Sequence, residues 1–206
     1  ASKFRNMGQT CVSVNRIYVH ESVADELAQR LLAAMAGLTV GDGLDASTTV
    51  GPLVEPAALD KVERHVADAV SKGATVLVGG TRSTGMGTEQ FFEPTLLVGV
   101  DESMQVMQEE TFGPVAPLST FTDEADVVAR ANATPFGLSA YIFTRDLNRA
   151  IRVSEALDFG TVGINDSTFS AVQAPFGGYK ESGLGREGGA MGLEEFMETK
   201  FISIGH

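Results

Sequence analysis

Apolar residues recur every three or four positions over Val23, Leu27, Leu31 and Met35, with Ala24, Ala28 and Leu32 beside them, and predict an amphipathic helix that Ser22 can cap. A second stripe, Leu59, Val62, Val66 and Val70, predicts a helix ending at Lys72-Gly73, a cation in the last turn followed by glycine. Between them, residues 37–53 carry Gly41, Gly43, Gly51 and Pro52 without periodicity and read as a loop. Its Gly-Asp-Gly at 41–43 lacks the carboxylate spacing of a calcium site.

Runs rich in β-branched and aromatic residues predict strands over 12–19, 75–78, 92–98, 115–121, 138–143 and 161–164. The continuous apolar run 75–78, bounded by Gly73 and Gly79, has the look of a strand covered on both faces. Further helices are predicted from Thr122 or Asp123 through Val127, Val128 and Ala131, and through Leu147, Ile151 and Leu157. Strands alternating with helices require crossover connections, so the expected class is α/β: a mainly parallel, Rossmann-like sheet with helices on both faces. A site is expected at the carboxyl ends of the strands. Past Ile164 the pattern gives a loop, a short helix near 193–196 and a last strand over 200–204.

A chain of 206 residues can bury one substantial core, read as one domain over 1–178 with a carboxy-terminal extension over 179–206. Its net charge of −12 argues against a nucleic-acid partner, because affinity for a phosphate backbone rests on Lys and Arg. No apolar run approaches the roughly 20 residues of a membrane span, so no membrane partner is expected. One cysteine allows no internal disulfide, and a free thiol fits a reducing, cytoplasmic setting. Gly79-Gly80 follows a strand, yet no G-x-G-x-x-G opens a helix there, which rules out a nucleotide phosphate loop at that point.

The one cysteine, Cys11, follows Gly8-Gln9-Thr10, a turn-forming run just ahead of a strand. Backbone N–H groups aimed at a sulfur stabilise its thiolate and can also stabilise an oxyanion, so Cys11 is either a nucleophile or a small apolar filler. A Cys-His hydrolase would need a base. His20 ends a strand leading away, His65 lies within a helix and His206 is terminal, so none is placed for that work. A peroxide-reducing thiol would need a resolving partner that the sequence does not supply. A non-catalytic interaction module is the third class.

The spacing of Phe4, Gly8, Gln9, Cys11 and Asn15 resembles the cysteine signature of the aldehyde dehydrogenase superfamily. Glu109-Glu110-Thr111-Phe112-Gly113-Pro114-Val115 is similar to that family's cofactor-contacting segment, and 175–180 with 182–187 to its carboxy-terminal signature. The resemblance implies that Cys11 attacks an aldehyde to give a thiohemiacetal, that hydride leaves to NAD or NADP, and that water hydrolyses the resulting thioester. The Cys11 N–H would be half of the oxyanion hole. Glu110 would accept hydrogen bonds from the nicotinamide-ribose hydroxyls, and Phe112 would lie beside the nicotinamide ring. A carboxylate accepts two such bonds readily.

Within the superfamily, the chain is most similar to succinate-semialdehyde dehydrogenases, through Arg5, the Asn-Arg at 15–16, the Gly-Asp-Gly-Leu-Asp loop and the Gly-Ile-Asn run. The resemblance implies that Arg5 and Ser170 grip the distal carboxylate of the aldehyde, that Phe4 and Phe176 belong to the substrate site, and that Asn165 orients the last loop or the pocket. The loop 166–169 departs from that pattern with a bulky Phe169, which leaves substrate length open. Ser13 stands where some relatives carry a second cysteine, so a local disulfide switch is not expected.

The family also carries a dinucleotide-binding half with the general-base glutamate ahead of the cysteine motif. The expectation is therefore that 1–178 is the catalytic, thiol-bearing domain of a longer enzyme and is inactive alone. The choice between NAD and NADP would be made in that other half, and the final strand would join a neighbouring subunit in a homodimer or homotetramer.

Overall fold

The computed structural model describes residues 3–85, 90–167 and 171–205. They form two compact units, 1–127 and 128–206. The sheet of the first unit contains β1 (Ile17–His20), β2 (Thr75–Val78), β3 (Thr95–Val98) and β4 (Val115–Phe121), in the order β1-β4-β3-β2. β1 and β3 both run parallel to β4, with Ile17 opposite Leu118 and Thr95 opposite Val115. β2 pairs antiparallel with β3. The sheet is thus mixed and mostly parallel, as the alternating pattern predicts.

Side-chain alternation along β3 and β4 divides the core between two helices, α1 (Ala24–Met35) and α2 (Pro56–Ser71). Leu96, Ala116 and Leu118 pack with Ala28 and Met35 of α1. The adjacent positions Leu97 and Val115 pack with Leu59, Val62, Val66 and Ala69 of α2. One helix therefore covers each face. α2 begins with Pro56 in its first turn and gives way to Lys72 and then Gly73 at φ 104°.

Two predicted elements differ in the structure. The run 75–78 is an edge strand with β3 on one side and no described strand on the other, and it is not covered on both faces: Leu77 and Val78 are each 39% exposed. The predicted strand 12–19 shrinks to β1, since 10–13 form a turn closed by the Ser13 N–H on the Thr10 carbonyl at 2.9 Å. The short helix α3 (Gln105–Gln108) then precedes β4.

α4 (Glu124–Asn132) begins in the first unit and ends in the second. In the second unit β6 (Ser139–Ile142) runs parallel to β7 (Thr161–Ile164), joined by α5 (Leu147–Ala156), whose N-cap Asp146 accepts from the Arg149 N–H at 3.1 Å. β5 (Phe136–Gly137) pairs antiparallel with β8 (Tyr179–Lys180), a pairing the sequence pattern does not announce. α6 (Gly189–Glu194) is the last regular element. The strand predicted over 200–204 is not formed. A strand exists only through a hydrogen-bonded neighbour, no described segment pairs with these residues, and Phe201, Ile202 and Ile204 are exposed. Among the described residues no helix is long and apolar enough to cross a membrane.

Candidate active site

Cys11 is exposed, at the tip of the 10–13 turn. The chain enters that turn through three successive left-handed residues, Asn6 (φ 50°), Met7 (φ 59°) and Gly8 (φ 75°). Asparagine and glycine tolerate this backbone, but methionine does not, and the conformation costs it about 1–2 kcal/mol. Met7 is fully buried in the α2-side core, and burial of such a side chain contributes about 1.5–3 kcal/mol, enough to hold the turn in place. Phe4, three residues earlier, is buried on the α1 side with Val19, Leu96 and Leu118. The two anchors grip opposite faces of the sheet and leave the segment towards Cys11 at its edge.

Gln9 ties the turn to the following loop: its Nε2 donates to the Asn6 carbonyl at 3.1 Å and the Pro52 carbonyl at 3.3 Å, and its Oε1 accepts from the Val54 N–H at 2.8 Å. Gly8 lies against Gly113 so closely that a Cβ at position 8 would overlap the Gly113 carbonyl. Asn15 completes the union of the two segments. Its Oδ1 accepts from the Thr111 N–H at 2.8 Å, while its Nδ2 donates to the carbonyls of Glu109 at 3.0 Å and Val106 at 3.3 Å.

The structure thus brings the cysteine turn together with 109–114, at the ends where β1 and β4 begin. This corrects the expectation of a site at the carboxyl ends of the strands: Cys11 precedes β1 and Glu110 precedes β4, and the two strands are parallel. Glu110 is exposed, and among the described residues its carboxylate makes no hydrogen bond. Phe112 is 38% exposed with φ 48°, held in that backbone between the buried Thr111 and the Gly113 contact.

Three polar side chains beneath the segment have partners that the sequence does not announce. His65, fully buried on α2, contacts the Glu109 carboxylate through Nε2 at 3.2 Å and the Thr111 hydroxyl through Nδ1 at 3.1 Å. Burial pushes its pKa down, against the opposing pull of Glu109. Lys3 is 8% exposed, and burial lowers its ammonium pKa to about 7 despite the attraction of the Glu110 carboxylate. The third is Asn15, whose place in a motif was visible but whose partners were not. For His65 the available signal was its position inside the apolar stripe of α2, between Val62 and Val66.

Of the other predicted residues, Arg5 is exposed beside the left-handed turn, and its guanidinium has no ion pair among the described residues. Ser170 and Phe169 lie outside the described residues. In the second unit, Asn165 (φ 53°) spends its side chain on the strand ends: Oδ1 accepts from the Thr144 N–H at 3.0 Å and Nδ2 donates to the Thr144 carbonyl at 2.8 Å. It lines an open depression with Phe143, Thr144 and Arg145. Phe176 is half-buried, and its backbone exchanges two 2.7 Å hydrogen bonds with Glu187. Among the described residues no group of His, Cys, Asp and Glu is placed to hold a metal ion.

Residues 1–202 match the model of the aldehyde dehydrogenase family. The chain is 54% identical, over all of its length and 42% of the relative's, to a succinate-semialdehyde dehydrogenase (NADP+) of Escherichia coli strain K12. It is 53% identical, over 98% of its length and 42% of the relative's, to a glutarate-semialdehyde dehydrogenase of Pseudomonas putida KT2440. The crystal structure of succinate-semialdehyde dehydrogenase from Burkholderia pseudomallei superposes with a TM-score of 0.92 at 52% identity, covering 95% of this chain and 40% of that one. The chain therefore spans about two fifths of the length of these relatives.

Proposed function

The chain belongs to the aldehyde dehydrogenase family, and from that premise we propose that it is the thiol-bearing part of an enzyme that oxidises an aldehyde carrying a distal carboxylate to the corresponding acid, with NAD or NADP as hydride acceptor. The single observation that carries this reading is the union, through Asn15 and the Gly8–Gly113 contact, of an exposed cysteine with an exposed carboxylate on a pinned segment.

Cys11 acts as the nucleophile. A thiol forms a bond to the aldehyde carbon and later leaves from the acyl product, so one side chain serves both halves of the reaction. The exposure of its turn gives substrate access to the sulfur, and the Cys11 N–H lies on the same turn for a developing oxyanion. The cofactor, when bound, supplies the hydride acceptor. Glu110 fits its ribose because a carboxylate with no hydrogen-bond partner among the described residues offers acceptors for two adjacent hydroxyls, and Phe112 offers a half-exposed ring beside it.

Arg5 sets substrate class. A guanidinium six residues before the nucleophile, without an ion pair among the described residues, suits a carboxylate at the far end of a short aldehyde. Succinate semialdehyde and glutarate semialdehyde, named in the two relatives, each have that form and differ in chain length. Succinate semialdehyde is the first choice and the glutarate homologue the second. Ser170, Phe4, Asn165 and Phe176 complete the proposed substrate set, with Phe4 acting through its buried anchor and Asn165 through the strand ends it pins. In the proposed organisation, 1–178 is the catalytic domain and 179–206 serves assembly of a homodimer or homotetramer in the cytoplasm.

The test is a substrate panel on the full-length enzyme. Cys11→Ala abolishes oxidation of every aldehyde, and Arg5→Ala raises KM for succinate semialdehyde and glutarate semialdehyde while leaving an uncharged aldehyde of equal length near wild type. Equal losses on charged and uncharged substrates would refute the role given to Arg5.

A further inference from the structure

Glu110, the proposed ribose ligand, is exposed, yet both its neighbours are held from below. Asn15 takes the backbone side, through the Glu109 carbonyl and the Thr111 N–H. His65 takes the side-chain side, through the Glu109 carboxylate and the Thr111 hydroxyl. Thr111 is 1% exposed, so its hydroxyl has little recourse to water.

The chemistry of these partners assigns the imidazole tautomer. A carboxylate only accepts, so Nε2 carries the proton and donates to Glu109; Nδ1 is then a bare acceptor, and Thr111 donates its hydroxyl to it. Neutral His65 satisfies both neighbours at once. Protonation would put a second hydrogen on Nδ1, so that the Thr111 oxygen accepts and its buried hydroxyl hydrogen loses its acceptor, while the Nε2 contact to Glu109 gains charge.

We propose that His65 is a positioning residue for the Glu110 carboxylate: by fixing Glu109 and Thr111 it holds the segment in the form that binds the nicotinamide dinucleotide, and the Thr111 half of that grip is reversed when the imidazole is protonated. The proposal rests on the reading of Glu110 as the ribose ligand. Every charged group facing the ring has a known sign. Glu109, from the segment, and Asp68, on the same helix, favour the imidazolium; Lys61 and Arg64, also on α2, oppose it; and burial outweighs the attraction, so the net shift favours the neutral ring. Arg64 also reaches the same Glu109 oxygen at 3.5 Å.

The experiment is calorimetric titration of NAD and NADP into the full-length enzyme between pH 5 and pH 8, for wild type, His65→Leu, His65→Gln and Glu110→Gln, with the rate of thiol alkylation by iodoacetamide as a second readout. In wild type the dissociation constant rises as pH falls below the ordinary histidine range. His65→Leu weakens cofactor binding about tenfold at pH 7.5, the scale of one lost buried hydrogen bond, and removes the acid limb. His65→Gln, which keeps an amide donor towards Glu109, recovers part of the affinity and also lacks the limb. At pH 7.5 both His65 variants alkylate Cys11 at the wild-type rate. A pH-independent wild-type affinity, or a His65→Leu enzyme that binds as wild type while Glu110→Gln does not, overturns the role of His65 and leaves Glu110 standing. If Glu110→Gln itself binds as wild type, the ribose reading fails first. Should His65→Leu not fold, the wild-type and His65→Gln profiles decide the matter.

Discussion

The Thr111 N–H donates to the Asn15 side chain at 2.8 Å across 96 positions of sequence. One side chain thereby joins the turn that presents Cys11 to the segment that presents Glu110. Its amide offers what this junction needs, an acceptor for one N–H and donors for two carbonyls, a set that only glutamine, one methylene longer, shares.

Asn15→Leu is expected to leave the Thr111 N–H and the Glu109 carbonyl without their partners, at about 1–3 kcal/mol for the buried Thr111 N–H, the Glu109 carbonyl being open to water. The measurable result is a lowered unfolding midpoint in urea and faster hydrogen exchange at Thr111. Asn15→Asp keeps the acceptor and loses the donors, so it should retain the Thr111 protection while still losing stability. If both variants exchange like wild type, Asn15 is not the junction.

Gly8→Ala tests the second contact. The backbone at φ 75° disfavours any Cβ, and one placed there would overlap the Gly113 carbonyl. A cost above about 1 kcal/mol is expected, because the strain adds to the usual penalty of alanine at positive φ. Gly43→Ala, at a position where an added Cβ meets nothing, is the matching control and should be near neutral.

How much of this was legible beforehand depends on whether a feature is local. α1 and α2 follow from stripes of apolar residues, and β4 from its own run, because the period and the burial coincide. The run 75–78 misled because a short apolar segment does not show whether anything packs over its two faces. The position of the site was in the sequence order all along: both motifs precede their strands, so parallel pairing places both at the amino ends. Asn15 was visible as a motif member, but its bonds to residues about 90 positions away depend on tertiary structure. His65 reads as one more position of a buried stripe until Glu109 and Thr111 are seen against its two nitrogens.

The exposed run Phe201, Ile202 and Ile204 bears on assembly, since three apolar side chains in a four-residue span are poorly suited to water. On the proposed reading this segment pairs with a neighbouring subunit. Ile202→Lys with Ile204→Lys in the full-length enzyme is expected to shift sedimentation towards smaller species, with the thiol alkylation rate unchanged. Unaltered sedimentation would remove the segment from the interface.

Lys3 gives the chain a pH dependence of its own. In the folded chain burial holds its pKa at about 7, whereas in the unfolded chain it returns to the ordinary 10.5. Between those values the unfolded state binds more protons than the folded one, so stability must rise as pH rises from about 7 towards 10.5. Below pH 7 both states are protonated and the full cost of the buried ammonium is felt, each unit of difference being worth about 1.4 kcal/mol. Glu110 moderates that cost by attracting the charge, so Glu110→Gln should lower the Lys3 pKa further and extend the rising limb below neutral pH. Lys3→Met, similar in length and without the ionisable group, should be more stable than wild type at pH 7 and should lose the alkaline rise. Urea unfolding of wild type and Lys3→Met at pH 6, 7, 8 and 9 checks both signs, and parallel curves for the two proteins would show that Lys3 is solvated after all.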